Sequence, residues 1–407
     1  MTAYREIRYP RTMALVAILL ASINLRTSIT ALSPLLPRIE EQLGMGGTVV
    51  GLLGTIPTAM FALSAFVLPT LKRRFTLSEM MLVSAGFTAL GQLLRVAYPS
   101  QWILLAGTAI ALFALGILNA TMPLVVREYF PRHVAGMSTT YMLTSQVSLT
   151  VAPLLAVPVA DFTGAQGLPG WQTSLGLWGL CTAVAAVAWL PLLIHRGPNP
   201  IDEVPEPNFS TPVWRTKVGL GMAFMFGSNS FVAYTFMTFL PQIYTEQGTS
   251  EHYGAGLLSV FSGVGIAVTF LGPWLAARLH NLYPVIVFTG LCFIIAPLGF
   301  AFAPLKAPVL WASMAAIGTI MYAIAMVLVN FRARTLDGAT GLASVSQGVG
   351  YTIASVGPFL TGALHQVTGS FTVPLIIMSP IGIVTLIAGY FATRQVYVED
   401  QIDALKS

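Results

Sequence analysis

The chain has 407 residues, 55% of them hydrophobic and only 9% charged, and its mean hydropathy is +0.77. A soluble domain of this size carries about 25% charged residues, so the composition excludes a soluble protein and points to a polytopic membrane protein in contact with the lipid bilayer. The net charge of +5 is no argument for a nucleic-acid partner, because the basic residues cluster in short loops between apolar runs.

In chain order, twelve segments are long enough to span as helices, at 12–37, 47–71, 78–98, 101–127, 134–160, 170–195, 216–244, 252–279, 283–304, 307–332, 339–366 and 371–393. Arg5, Arg8 and Arg11 ahead of the first run imitate a signal peptide, but the run continues to Pro37 without a convincing cleavage site and more spans follow. Several segments carry an internal proline (Pro57, Pro123, Pro153, Pro273, Pro358), which helices in lipid tolerate when neighbours satisfy the freed backbone groups. Cys181 and Cys292 both fall inside apolar segments, which suggests neither a disulfide framework nor a metal site.

Within the first segment stands Arg26, roughly 15–20 Å of helix from either end and so near mid-bilayer. A cation at that depth costs at least ~2.5–3.5 kcal/mol and should face a polar cavity. Its planar fork suits a carboxylate or other small anion and keeps its charge at any accessible pH. The competing reading is a structural arginine bonded to helix carbonyls and water. Arg95, near the outer end of the third segment, is expected to snorkel to the headgroups.

Between the sixth and seventh segments, a polar stretch rich in proline and acid reads as an extended linker. This gives an N-terminal six-helix bundle (1–196), a linker (197–215) and a C-terminal bundle with a short tail (216–407). The halves resemble each other. Leu36-PRIEEQL-Gly44 matches Leu240-PQIYTEQ-Gly248 at an offset of 204, and Pro153, Leu155, Thr163 and Gly164 match Pro358, Leu360, Thr368 and Gly369 at 205. At the first offset Arg26 meets Ser230, so the charge belongs to one half alone.

Sixteen basic residues fall on one side: Arg5, Arg8, Arg11, Lys72, Arg73, Arg74, Arg127, Arg132, Arg196, Arg215, Lys217, Arg278, Arg332, Arg334, Arg394 and Lys406. Arg38, Lys306 and Arg95 fall on the other. The excess places both termini and the linker in the cytoplasm of a cell whose inner (plasma) membrane holds the protein. The acidic residues, Glu40, Glu79, Glu128, Asp161, Glu246 and Asp337 among them, lie at or near membrane boundaries, and the five histidines at loops or helix ends. No titrating carboxylate stands mid-membrane, which leaves facilitated diffusion, anion exchange, or symport with protons open as coupling modes. The chain has no His-Glu-x-x-His, no Gly-x-Ser-x-Gly and no intramembrane carboxylate pair, so no catalytic residue, enzyme activity, metal or cofactor is expected.

Two weakly similar six-helix halves are the architecture of the major facilitator superfamily. Within it the chain resembles the cyanate and 2-nitroimidazole transporter family. The resemblance rests on Asn24-LRTSITALSPLL-Pro37, Arg95 before Pro99, Gly116-ILNATM-Pro123, Gly227-SNSFVAYTFMTFLPQIYTEQ-Gly248 and Ser346-QGVGYTIASVGPFLTGALHQVT-Gly369. It implies an all-α membrane protein of twelve transmembrane helices in two pseudo-symmetric six-helix bundles, acting as a monomeric secondary transporter of a small anionic or polar solute, cyanate-like or another small anion, by alternating access. Export of a nitroimidazole-like toxic compound is the alternative. In this superfamily the first, fourth, seventh and tenth helices, with parts of the second, fifth, eighth and eleventh, line the solute path near mid-membrane. The polar residues at that depth become the candidates: Asn24, Arg26 and Thr30; Asn119; Tyr141 and Gln146; Asn229 and Tyr234; Tyr322; Gln347 and Tyr351. Amides in such helices also serve as interhelical glue worth ~1 kcal/mol. One departure is Thr70-LKRRF-Thr76, which lacks the aspartate that many members carry before the paired basic residues. The basic triplet then serves as topology signal and headgroup contact. Gly263, Gly265, Gly348 and Gly350 read as close-packing positions.

Overall fold

A computed structural model describes residues 10–72, 74–194 and 212–406. Arg5, Arg8, Arg73, Arg196 and most of the expected linker lie outside the described residues. Among those described there is no strand. The helices are α1 (Pro10–Thr30), α2 (Leu36–Leu43), α3 (Gly47–Lys72), α4 (Leu77–Ala97), α5 (Gln101–Tyr129), α6 (Val134–Ala165), α7 (Gly170–Val187) and α8 (Lys217–Thr245). They continue as α9 (Glu251–Arg278), α10 (Tyr283–Phe302), α11 (Pro308–Gly318), α12 (Ile320–Phe331), α13 (Leu336–Thr368), α14 (Thr372–Met378), α15 (Ile381–Thr393) and α16 (Val398–Lys406).

The twelve expected segments are helical where they are described, but four are interrupted; the sixth passes after Val187 into a 3-10 helix (Leu190–Ile194). The first breaks after Thr30, where Pro34 and Pro37 withhold backbone donors and a 3-10 turn (Ser33–Leu35) carries the chain into α2. The tenth breaks at Thr319, whose hydroxyl turns back to the Ala316 carbonyl at 2.6 Å. The twelfth breaks around Ser379 and Pro380. Among the described residues, ten helical stretches are long and apolar enough to cross a membrane, and α8 and α13 are not among them. Both carry Gly, Ser, Thr and amides along their length, α13 most of all.

The 204-residue repeat reappears as geometry. Gly44 ends α2 at φ +62°, and Gly248 follows α8 at φ +81°. Both conformations are ones an L side chain resists, so the same glycine ends the same turn twice.

Contacts divide the chain into two units, one of Met1–Met45 with Met60–Val204 and one of Gly46–Ala59 with Pro205–Ser407. In the first, α4 and α5 lie backbone to backbone. A Cβ on Gly91 would stand 2.4 Å from the Ala111 nitrogen, and one on Gly107 2.5 Å from the Arg95 nitrogen. Thr76 and Glu79 form a capping box at the start of α4. Arg38 pairs with Asp161 at 2.7 Å, and Trp171 Nε1 donates to Gln42 Oε1 at 2.5 Å, so α2 is fastened to α6 and α7.

In the second unit α13 packs along α8, where Gly350 meets the Phe226 ring and Gly357 meets Thr235 and Phe231. Gly265 and Gly348 instead face open space. The first half of α3 lies on the far end of α13. A Cβ on Gly362 would sit 2.2 Å from the Gly47 carbonyl, while Thr48 N donates to Gln366 Oε1 at 2.9 Å and Thr55 Oγ1 to the Ser355 carbonyl at 3.0 Å. At the opposite end of this unit α16 folds back. Val398 N donates to the Arg332 carbonyl at 2.9 Å, Gln401 Oε1 accepts from Val218 N at 3.1 Å, and Glu399 accepts from Thr335 N and Oγ1 at 2.9 and 2.8 Å.

Candidate functional site

In the first unit the candidates sit on α1, α5 and α6. Arg26 is half-buried one turn before the break in α1, and its carbonyl accepts from Thr30 Oγ1 at 3.2 Å. Asn119 on α5 and Gln146 on α6 are half-buried, whereas Tyr141 is 5% exposed. A shallow hollow of about 490 Å³ opens one helical turn from Arg26, lined by Ile23 of α1, Thr140, Thr144, Val147 and Ser148 of α6, and Trp178 of α7.

Asn24 faces a different environment from Arg26. It is buried, with Nδ2 donating to the Leu20 carbonyl at 2.8 Å and Oδ1 accepting from Thr182 Oγ1 at 2.8 Å. That hydroxyl also accepts from Gln92 Nε2 at 3.1 Å, and the same nitrogen donates to Ser28 Oγ at 2.7 Å. A buried polar network therefore joins α1, α4 and α7. Both ends of the Asn24 amide are engaged within it.

Arg95 departs from expectation. It does not snorkel; it is fully buried, and Nη1 donates to the Ser28 carbonyl in the last turn of α1 at 2.9 Å. The close α4–α5 packing through Gly91 and Gly107 encloses its stem, and the negative end of the α1 dipole favours a cation there. Among the described residues, Nε and Nη2 have no hydrogen-bond partner.

In the second unit the structure brings several candidates to one ring that the sequence did not single out. Phe226 of α8 is fully buried, with Tyr322 of α12 at 5.5 Å and Tyr351 of α13 edge-on at 5.1 Å between centroids. Gln347 is exposed and precedes Tyr351 by four residues, so it shares that face of α13. Asn229 follows Phe226 by three, is 3% exposed, and its Oδ1 has no hydrogen-bond partner among the described residues. Tyr234 is buried two turns from Phe226. Phe226 carried no signal of its own, since a phenylalanine in an apolar helix is ordinarily core. At the ends of α8 and α13, His365 Nε2 lies 2.6 Å from Glu246 Oε1 and its ring stacks on Phe371 at 4.2 Å.

Among the described residues, no group of three or more His, Cys, Asp or Glu side chains could hold a metal ion. The first unit offers two permanent cations on spanning helices, Arg26 and Arg95, together with amides; the second offers amides, phenols and an aromatic cluster. Such groups hold a solute through charge, hydrogen bonds and ring contacts. With the apolar helices, they define a multi-pass membrane transporter rather than an enzyme.

The chain belongs to the Major Facilitator Superfamily, whose sequence profile matches residues 18–355, and is a secondary transporter of that type. It is 26% identical to the 2-nitroimidazole transporter of Escherichia coli (strain K12) over 392 residues, covering 94% of this chain and 96% of that one. It is likewise 26% identical to the cyanate transport protein CynX of the same organism over 370 residues, or 88% and 91% of the two chains. Both relatives are those that the first-helix and eleventh-helix motifs resemble. In fold it is similar to the crystal structure of a bacterial homologue of the human lysosomal transporter Spinster, with a TM-score of 0.80 at 15% identity, covering 97% of this chain and 99% of that one.

Proposed function

We propose that the protein moves a small polar or anionic solute, cyanate-like in size and charge, across the inner membrane by alternating access, with Arg26 as its principal ligand. The observation that carries this reading is a half-buried arginine on a spanning helix, one turn before a proline-induced break. A guanidinium there keeps its charge and its fork of donors, which a small anion matches bidentately. The relative named for cyanate transport supports the solute class. Asn119, Tyr141 and Gln146 join Arg26 in the first unit, and Asn229, Tyr234, Tyr322, Gln347 and Tyr351 supply ligands from the second. Asn24 holds α1 in place. The halves are 1–196 and 216–407, joined by a cytoplasmic linker at 197–215, with both termini cytoplasmic as the basic-residue asymmetry requires.

A second reading is export of a nitroimidazole-like heterocycle. The phenols of Tyr322, which is exposed, and Tyr351, both seated on the buried Phe226, favour it, because a flat ring stacks on a phenol, and one relative is named for such a compound.

The test is a thermal-shift screen of the purified protein against cyanate, nitrate, nitrite, short carboxylates and 2-nitroimidazole. A ligand at a hundred times its Kd stabilises the folded state by ~2.7 kcal/mol. An anion that raises the melting temperature of wild type but not of Arg26→Ala supports the first reading, and Arg26→Ala then loses saturable uptake into proteoliposomes while still folding. A response to 2-nitroimidazole alone supports the second. Wild-type uptake kinetics in Arg26→Ala would sink the role of Arg26.

A further inference from the structure

An apolar groove runs up the outside of the first unit, walled by Val67 and Leu71 of α3, Val83 and Phe87 of α4, and Ile110 and Phe113 of α5. It encloses about 420 Å³, within the ~300–1,000 Å³ typical of small-molecule sites. Its rim is greasy and open: Val83 is 47% and Phe87 53% exposed. From Met80 at its foot to Leu90 near its top, the α4 register gives a length of ~15 Å at 1.5 Å per residue. That length equals one leaflet of a ~30 Å hydrocarbon core.

Next in sequence to the foot of the groove stands a cation. Phe75 lines the foot, and Arg74 beside it is exposed. The nearest carboxylate in sequence, Glu79, is occupied otherwise: its Oε2 accepts from Thr76 N at 2.8 Å and Thr76 Oγ1 at 2.9 Å. A slot one leaflet long, apolar along its length and next to a cation at one end, has the polarity of a phospholipid.

We propose that this groove binds one acyl chain of an anionic phospholipid, whose headgroup is held at Arg74. The chain fills the space between α3, α4 and α5, and the phosphate meets the guanidinium at the interface. This site is separate from the solute site, and its test reads lipid retention rather than transport, so the two readings fail independently.

The full-length protein is delipidated in mild detergent and titrated with phosphatidylglycerol or phosphatidylcholine of equal chain length, with bound lipid counted by native mass spectrometry. Wild type retains phosphatidylglycerol at about fivefold lower concentration, the effect of one cation near an anionic surface. Arg74→Gln narrows the difference between the two lipids. Val83→Trp, which fills the groove from its exposed rim, lowers retention of both and keeps their ratio. Phe87→Ala, which removes part of a wall at an exposed position, does the same and covers the case in which the tryptophan variant does not fold. Equal retention of the two lipids by wild type overturns the proposal, as does an unchanged preference in Arg74→Gln. So does a dimer of the protein that Val83→Trp dissociates, since the groove would then seat a second copy.

Discussion

Replacing Thr182 with valine keeps the side chain's shape and removes one hydroxyl. That hydroxyl lies 2.8 Å from Asn24 Oδ1 on α1 and 3.1 Å from Gln92 Nε2 on α4, and its residue is 1% exposed. Interhelical hydrogen bonds in membrane proteins average ~0.6 kcal/mol and reach ~1.7. Two such bonds are lost and no water can replace them, so Thr182→Val should destabilise the protein by ~1–3 kcal/mol. Asn24→Leu removes the partner at similar volume, and the double variant closes a cycle whose coupling energy should be ~0.6–1.7 kcal/mol. Unfolding in mixed micelles, followed through the tryptophans, measures all three. Asn24→Leu should leave the KM of any identified solute within about threefold, since a loss of ~0.6 kcal/mol in binding corresponds to that factor. A coupling energy of zero, together with a tenfold rise in KM for Asn24→Leu, would refute the assignment of Asn24 to the network and return it to the solute site.

Arg95 is a buried cation with one bond, so Arg95→Met should be neutral or stabilising by ~1–4 kcal/mol, whereas Arg95→Ala leaves a cavity and should cost ~2–5 kcal/mol. Melting curves of the two variants separate these outcomes. Gly362→Ala should drive the first half of α3 off α13 and cost ~1–3 kcal/mol, read as lost melting temperature and faster hydrogen exchange across 47–59. For the C-terminal helix the pH dependence has a definite sign. Burial pushes the Glu399 carboxyl up, but the hydrogen bonds from Thr335 and Arg334 outweigh it and hold the pKa below the ordinary value. Stability from this contact is therefore full above ~4.3 and is lost as the pH falls through the lower folded value. Protection of 398–406 against hydrogen exchange, taken relative to the unfolded chain at the same pH, should be high at pH 7, lower under strong acid, and low already at pH 7 in Glu399→Gln.

Hydropathy made the helical segments legible because a spanning helix must hide its backbone in apolar side chains, and that demand is local in sequence. The turn repeat was legible for the same reason: Gly44 and Gly248 announce a left-handed residue without help from the rest of the fold. The break at Thr319 was not, since no proline marks it. Arg95 was misplaced because snorkelling and burial differ only in what stands beside the helix, and the approach of α4 to α5 depends on Gly107, which is distant in sequence. Asn24 and Arg26 are two residues apart, yet the Asn24 amide is turned into the network with α4 and α7, a direction that depends on Thr182. Phe226 was invisible as a site residue because its interest lies in its two phenolic neighbours.

The low apolarity of α8 and α13 bears on how the chain enters the membrane. Neither helix has an uninterrupted apolar stretch long enough to mark it as a span by itself, and the two pack together through Gly350 and Gly357 against Phe226 and Phe231. During synthesis α8 emerges about a hundred residues before α13. Until then it depends on other helices, or on the insertion machinery, to shelter its serines and Asn229. The second unit is thus committed to the bilayer late, as a group, and a ribosome stalled before α13 would leave behind a helix with an unmatched polar face.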